Sequence, residues 1–217
     1  GYALYLATVD VHVDGQRLEG LGVGPSYQVV NPTPEEAARY LVLDSIKKDI
    51  VWRADLDQSA RLKNSPLWES IDHDNTEWAK RVVEAYGWPR KSLVGEEPAH
   101  LFWLLVQHTP DLEFQEKCLA LMTEAVESGE ADPKDLAYLY DRVQLYNKKP
   151  QKYGTQLVGV EGGGFKLWIV EDPEGLDSRR VELGMRPIRE YLRSFKLENY
   201  ESLDEVTTDK HWTDQRS

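Results

Sequence analysis

The spacing of hydrophobic positions changes twice along the chain. Residues 2–13 are rich in β-branched and aromatic side chains, and Asp14-Gly15 is a strong turn signal, so we predict strands within residues 1–31. From residue 33 to about 147, apolar positions recur every three or four residues, which predicts helices. Residues 156–161 and 165–170 flank three glycines and are strand-like, which predicts a β-hairpin.

Proline, glycine and capping residues divide the helical region. Thr33-Pro34-Glu35-Glu36 is a capping box with proline at the first helical position, and the helix that it opens extends towards Leu62. Asp72-His73-Asp74-Asn75 is typical of a turn that caps the next helix. We predict further helices at about residues 75–86, 98–109, 112–128, 132–147, 178–183 and 187–195.

These elements predict a mainly α (α+β) fold. We expect a compact helical bundle with a small antiparallel β part, in which the N-terminal strands join the hairpin near 156–170, because an isolated hairpin is marginally stable. The predicted organisation is an N-terminal β segment at 1–31, a helical domain with an inserted hairpin at 32–198, and a polar acidic tail at 199–217.

Composition narrows the possible partners. The chain has 217 residues, with 26 basic against 38 acidic ones and a net charge of −12. A negative field repels phosphate backbones and anionic lipid, so we expect neither nucleic acid nor a membrane as partner. No apolar run approaches the roughly 20 residues of a membrane span, and no signal-peptide pattern opens the chain, which favours the cytoplasm. The single cysteine, Cys118, excludes an intramolecular disulfide.

The predicted helix at residues 98–108 carries the clearest candidate chemistry. It is apolar on nearly all sides, which is typical of a central buried helix, and yet it ends in Gln107-His108. A histidine titrates near neutral pH, so His108 can act as a general acid or base, with Gln107 and Trp103 on the same helix. The alternative is a core histidine that hydrogen-bonds a backbone carbonyl.

A metal site is a further alternative on this helix. Glu97 and His100 are three residues apart, a spacing that holds a metal when a second such pair faces it, and His73 lies in a separate polar segment. The chain shows no second pair. We therefore predict no metal ligands, and the sequence leaves the cofactor unknown.

Polar residues also gather after the helix at 132–147. The segment Gln151-Lys-Tyr-Gly-Thr-Gln156 places hydrogen-bonding groups around a glycine between a helix and a strand, and such loops often carry binding residues. The adjacent pair Asp141 and Arg142 is either a surface ion pair or a buried clamp on this loop. The candidate binding residues are Asp141, Arg142, Tyr153, Thr155, Gln156 and Arg180.

Several motifs follow one another between residues 86 and 184. They are Tyr86-Gly-Trp-Pro89, Leu93-Val-Gly-Glu96, Trp103-Leu-Leu-Val-Gln-His108, Ala137-Tyr-Leu-Tyr-Asp-Arg-Val143, Gln151-Lys-Tyr-Gly-Thr-Gln156, Glu171-Asp-Pro, Asp177-Ser-Arg-Arg180 and Glu182-Leu-Gly184. In this order they resemble one bacterial family known as a domain of unknown function. The resemblance covers about residues 68–195, and it implies a bacterial origin and a mostly helical fold. It implies that the Gln-His pair and the Tyr-Gly-Thr-Gln loop are hallmarks of the family, and it supplies no reaction.

Three functions remain open at this point. The first is an enzyme that acts on a small molecule or peptide, with His108 as general acid/base, Gln107, Tyr153 and Gln156 orienting the substrate, and Arg142 or Arg180 binding a carboxylate. The second is a non-catalytic binding or protective protein of a bacterial gene cluster, suggested by the acidic charge and seven tryptophans. In the third, the Gln-His pair and the loop are architectural.

Overall fold

The structure, a computed structural model, describes residues 33–159 and 165–195. It divides into two compact units, residues 1–47 and 48–217, with the boundary inside the first helix, and all residues discussed below as a site lie in the second unit. Within the described residues, the predicted mainly α (α+β) class is confirmed by eight helices and a two-stranded antiparallel sheet. None of the helices described has the length and apolarity that crossing a membrane requires.

The first two helices form a hairpin whose polar residues matter later. Helix α1 spans Pro34–Leu62, as the capping proline predicts, and α2 spans Trp68–Tyr86. We predicted that α2 begins near Asn75, which is seven residues too late. The segment 72–75 is helical because the buried Asp72 carboxyl accepts from Arg61 at 2.7 Å, and the Thr76 hydroxyl donates to the Asp72 carbonyl at 2.6 Å. Tertiary contacts here override the turn preference of Asp and Asn.

The central part of the fold is a set of four helices: α3 (Lys91–Val94), α4 (Glu96–His108), α5 (Leu112–Glu127) and α6 (Pro133–Tyr146). Helix α4 is the core element, as its apolar sequence predicts, and Phe102 is fully buried between the rings of Trp78 and Trp88. Asp132 caps α6 by accepting a hydrogen bond from the Lys134 amide at 2.8 Å. The short helix α3 was not predicted.

Helices α4 and α6 run in the same direction, and three contacts join them. His100 lies 2.8 Å from Asp135, and the ring of Trp103 packs edge-on against Tyr138 with centroids 5.8 Å apart. One turn further on, the Gln107 amide donates to the Tyr138 carbonyl at 3.4 Å. The first two contacts join residues 35 positions apart and the third joins residues 31 apart, so the carboxyl end of α4 lies beside the part of α6 between Tyr138 and Arg142.

The chain then forms the hairpin and two short helices. Strand β1 (Leu157–Gly159) pairs antiparallel with β2 (Phe165–Leu167), which confirms the hairpin in a shorter form. Helices α7 (Leu176–Glu182) and α8 (Ile188–Arg193) follow, and their buried residues form a core with the second strand. The predicted N-terminal strands at 1–31, the glycine turn and the tail after 199 lie outside the described residues.

Candidate functional site at the carboxyl end of α4

Four charged or titratable side chains meet where α1, α2 and α4 come together. Asp57 and Arg61 lie one turn apart on α1, Asp72 lies on α2, and His108 is the last residue of α4. The two carboxylates are almost fully buried, and the side chain of His108 is 19% exposed. We call these four residues the central polar cluster. Buried charges must be paired, so the contacts within the cluster decide its chemistry.

Arg61 is the cation that holds the cluster together. Its Nη2 donates to both carboxylate oxygens of Asp72 at 2.7 Å. Its Nε lies 3.1 Å from Asp57 Oδ1 and 3.2 Å from His108 Nδ1. One guanidinium therefore faces two carboxylates and one imidazole, so the cluster holds two potential negative charges for a single fixed positive charge.

His108 is oriented by Asp57. Its Nδ1 lies 2.9 Å from Asp57 Oδ2, a distance at which the protonated Nδ1 donates to the carboxylate. In that tautomer Nδ1 has no lone pair for Arg61, and Nε2 carries the free lone pair. Among the residues that the structure describes, none forms a hydrogen bond with Nε2. Nε2 is therefore the nitrogen available to accept a proton from a ligand.

The environment shifts the titration of these groups in different directions. Burial lowers the pKa of His108 from 6.5, although the hydrogen bond to Asp57 acts in the opposite direction. Burial also opposes ionisation of Asp57. The hydrogen bond from His108 and the positive charges of His108 and Arg61 outweigh this effect and lower the pKa of Asp57 to about 2. Burial raises the pKa of Asp72 to about 7, and the negative charge of Asp57 adds to that effect, whereas Arg61 opposes it.

These shifts produce an acid and a base side by side. Burial favours the neutral form of His108, which can accept a proton, and the pKa of Asp72, raised to about 7, lets its carboxyl hold a proton that it can donate. Pairs of titratable groups whose surroundings push their pKa values apart in this way are typical of acid–base catalysis. Asp57 stays ionised and holds the imidazole in one tautomer.

The same residues include a set that could hold a metal ion. One ligand atom from each of Asp57, Asp72 and His108 can be chosen so that all lie within 4.8 Å of one another. Arg61, however, already contacts all three side chains, and its charge offsets the carboxylates that would bind a cation. A metal would have to displace the guanidinium, so the arrangement favours proton transfer over metal binding.

The alternative metal ligands on α4, Glu97 and His100, are not joined by the other histidine of this helix, His108. His100 and His108 are eight residues apart on one helix, which separates them by about 12 Å along its axis. His100 instead pairs with the buried Asp135, whose hydrogen bond raises the pKa of His100. It lines a cavity of about 400 Å³ at the amino end of α4, away from the central polar cluster.

The other residues predicted on α4 serve its packing. Gln107 is buried, its Nε2 donates to the Tyr138 carbonyl, and its Oε1 has no partner among the described residues. Trp103 is buried between His100 and Tyr138. Gln115 of α5 donates to the carbonyls of Val106 and Gln107 and so closes the end of the helix beside His108.

Asp141 is the anchor of the Tyr-Gly-Thr-Gln loop. Its carboxylate is fully buried and accepts hydrogen bonds from the amides of Lys152, Tyr153 and Thr155 at 2.8 to 3.1 Å. The Thr155 hydroxyl donates to the same carboxylate at 3.0 Å. Burial raises the pKa of Asp141 to about 6, while these four donors favour its charged form. Asp141 is therefore a clamp on the loop, one of the two roles that the sequence left open.

The remaining loop residues are also held by internal contacts. Arg180 donates to the carbonyls of Tyr153 at 2.6 Å and Arg186 at 2.7 Å, and its guanidinium lies over the ring of Tyr191. Gln156 is buried, and its amide donates to the Thr155 hydroxyl at 2.9 Å. The donors of Arg180 thus serve the backbone, so this arginine is poorly placed to bind a ligand carboxylate.

Sequence reasoning found His108 but missed the partners that define its chemistry. Asp57 and Arg61 were not singled out, and Asp72 was assigned to a turn. A signal did exist in α1, where Ile50, Ala54 and Asp57 are buried at helical spacing and Arg61 follows one turn later. A charged pair that continues an apolar stripe must be compensated inside the protein, which marks it as a candidate site.

The fold and the site define a mainly helical domain with a buried Asp–Arg–Asp–His cluster. The chain belongs to the family of unknown function DUF6624, whose model matches residues 39–203. This match confirms the resemblance to a family of unknown function, and it extends into α1, where the resemblance did not reach. Among curated proteins and among solved structures, none matches the chain significantly.

Proposed function

We propose that this protein is an enzyme that acts on a small molecule or peptide by general acid/base chemistry. His108 is the base, Asp57 is the positioning residue that selects its tautomer, and Asp72 is the acid. The observation that carries the proposal is the 2.9 Å contact between His108 Nδ1 and Asp57, which leaves Nε2 free on a partly exposed imidazole. A bacterial, cytoplasmic setting without nucleic-acid partners belongs to the same proposal.

The proposed chemistry needs proton movement and no resident cofactor. His108 Nε2 accepts a proton from a hydroxyl group or water, and the developing imidazolium is stabilised by the Asp57 carboxylate. The protonated Asp72 carboxyl donates a proton to the group that gains negative charge. Arg61 remains charged throughout and donates to both oxygens of Asp72, so it stabilises the carboxylate that forms when Asp72 gives up its proton.

The test compares three proteins on a library of pure metabolites and short peptides, with depletion and product formation followed by mass spectrometry. Wild type should convert at least one compound, and His108→Gln should convert it about 10²–10⁴-fold more slowly, as expected for loss of a general base. His100→Gln is the matched control, because His100 also lies on α4 and also pairs with an aspartate. It should retain wild-type turnover.

Equal turnover by folded His108→Gln and wild type would overturn this assignment. A loss of turnover in both histidine variants would point to damage to α4 rather than to loss of a base. Melting temperatures of the three proteins, measured in parallel, show whether each variant is folded before rates are compared.

A second candidate is a non-catalytic binding or protective protein. The observation that favours it is the exposure of large apolar side chains on α1, where Trp52 is 58% exposed and Leu62 87% exposed. Exposed tryptophans are frequent anchors of protein interfaces. If the library yields no turnover and Trp52→Ser abolishes capture of one defined partner, this candidate replaces the enzyme.

A further inference from the structure

We infer that Arg142 binds an anionic group of the ligand, a carboxylate or a phosphate, through the Nε–Nη2 edge of its guanidinium beside His108. This inference rests on the proposed function, because it names the substrate class of the same site. It selects Arg142 over Arg180, which the sequence treated as equivalent.

The helix register places Arg142 at the cluster. The contacts His100–Asp135 and Trp103–Tyr138 both join residues 35 positions apart on the parallel helices α4 and α6. The same offset places Gln107 opposite Arg142, and His108 is the next residue. The positive charge of Arg142 is close enough to lower the pKa of His108. A ligand that reaches Nε2 therefore meets a second cationic side chain.

Within the described residues, the Arg142 guanidinium donates one hydrogen bond, from Nη1, and its Nε–Nη2 edge donates none. Nη1 donates to the Tyr146 hydroxyl at 3.1 Å, and the guanidinium lies 5.6 Å from the centre of the same ring, which limits its rotation. Nε is buried and has no hydrogen-bond partner in the described part of the chain. A buried donor without a partner is rare, and the Nε–Nη2 edge is the one that pairs with both oxygens of a carboxylate or phosphate.

No carboxylate within residues 33–159 and 165–195 forms an ion pair with Arg142. The adjacent Asp141 is engaged by the amides of the loop and the Thr155 hydroxyl. By contrast, Arg53, Arg61 and Arg179 each pair with an aspartate at 2.7 Å. In the part of the chain that the structure describes, Arg142 is thus a half-buried cation whose charge no ion pair offsets, and a bound anion would offset that charge.

The experiment measures anion binding directly and does not require turnover. Wild-type protein labelled with ¹⁵N is titrated at pH 7 with sodium phosphate and, separately, with sodium acetate, while ionic strength is held constant with sodium chloride. The Nε–Hε resonance of Arg142 and the ring resonances of His108 should shift together and saturate. The anion with the lower Kd identifies the carboxylate or the phosphate as the preferred group.

Two variants and one control make the result specific. Arg142→Gln should weaken binding of the preferred anion about 10–100-fold, since charge-assisted bidentate hydrogen bonds are lost. Arg142→Lys keeps the positive charge but lacks the planar pair of N–H donors, and it should give an intermediate Kd. Arg189→Gln, at an exposed arginine on α8, should bind like wild type.

Either of two results would overturn the inference: no saturable shift with either anion in wild type, or equal binding by wild type and both Arg142 variants. His108→Gln separates this inference from the proposed function, because it should lose turnover and still bind the anion. Anion binding without turnover would support the inference and oppose the enzyme. Turnover without anion binding would support the enzyme and oppose the inference.

Discussion

Replacing Asp57 by asparagine isolates the electrostatic role of one carboxylate. The amide has nearly the same shape, so the packing of α1 is preserved. The change removes the negative charge that faces both His108 and Arg61. It also removes the like charge that raises the pKa of Asp72, and Asp72 becomes the only carboxyl group of the cluster that contacts Arg61.

The expected magnitude follows from the pKa shifts. In the wild type, burial lowers the pKa of His108 and the hydrogen bond and charge of Asp57 partly restore it, so the variant should lower the pKa of His108 further. The pKa of Asp57 falls from 3.8 to about 2 on folding. At about 1.4 kcal/mol per unit, that shift corresponds to about 2 kcal/mol of stability, which is present above pH 3.8 and lost as pH falls towards 2.

Asp57→Asn also removes the negative charge that opposes ionisation of Asp72, and this effect offsets part of the loss of stability. Its raised pKa means that ionisation of Asp72 opposes folding as pH rises from 3.8 towards 7, and removal of the neighbouring charge weakens that opposition. We therefore expect Asp57→Asn to lower the free energy of unfolding at pH 7 by about 1 to 2 kcal/mol, less than the loss of an uncompensated buried ion pair.

The assay is an NMR titration of the His108 ring, combined with urea unfolding at pH 7. Asp74→Asn is the control, because Asp74 forms an ion pair with Arg53 at 2.7 Å but its side chain is 69% exposed. It should leave the His108 pKa unchanged. If folded Asp57→Asn shows an unchanged or raised His108 pKa, then Asp57 does not orient and polarise this imidazole, and the proposed dyad is wrong.

Two further predictions concern the charge inside the cluster and the clamp on the loop. Zinc or magnesium should not raise the melting temperature of wild type, because Arg61 contacts all three possible ligands. The melting temperature of Arg61→Gln should rise by several degrees with zinc. A rise in the wild type that a chelator reverses would contradict this reasoning. Asp141→Asn should lower the free energy of unfolding in urea by about 2 to 4 kcal/mol, because one acceptor oxygen is replaced by an amide donor that faces backbone amides. A variant as stable as wild type would show that the Asp141 clamp contributes little to stability.

The two histidines of α4 show that the surroundings of a histidine decide the direction of its pKa shift. Both pair with an aspartate through Nδ1 at 2.8 or 2.9 Å. The side chain of His100 is 54% exposed, and its pKa is raised because the hydrogen bond to Asp135 exceeds the effect of burial. His108 is more buried, and desolvation of the charged imidazolium lowers its pKa despite the same kind of partner. Similar pairs thus favour opposite protonation states.

Local patterns in the sequence were sufficient for most of the helices and for the hairpin. Asp132-Pro133 begins α6, and Gly129 follows the end of α5, because capping and chain reversal depend on a few neighbouring residues. The apolar surface of residues 99–106 was sufficient to predict that α4 is central. His108 could be selected because a titratable residue at the end of such a helix needs a partner.

Only the tertiary structure decided which partner each polar residue has. Asp57 and His108 are 51 residues apart, and Arg61 and Asp72 lie on different helices, so no local spacing predicts their contact. The packing of α1, α2 and α4 brings them within hydrogen-bond distance, and the burial that results shifts their pKa values. The same packing assigns Asp141 and Arg180 to the loop backbone and leaves Arg142 without an ion pair among the described residues, because a charge that is excluded from water takes whichever donor or acceptor the fold places beside it.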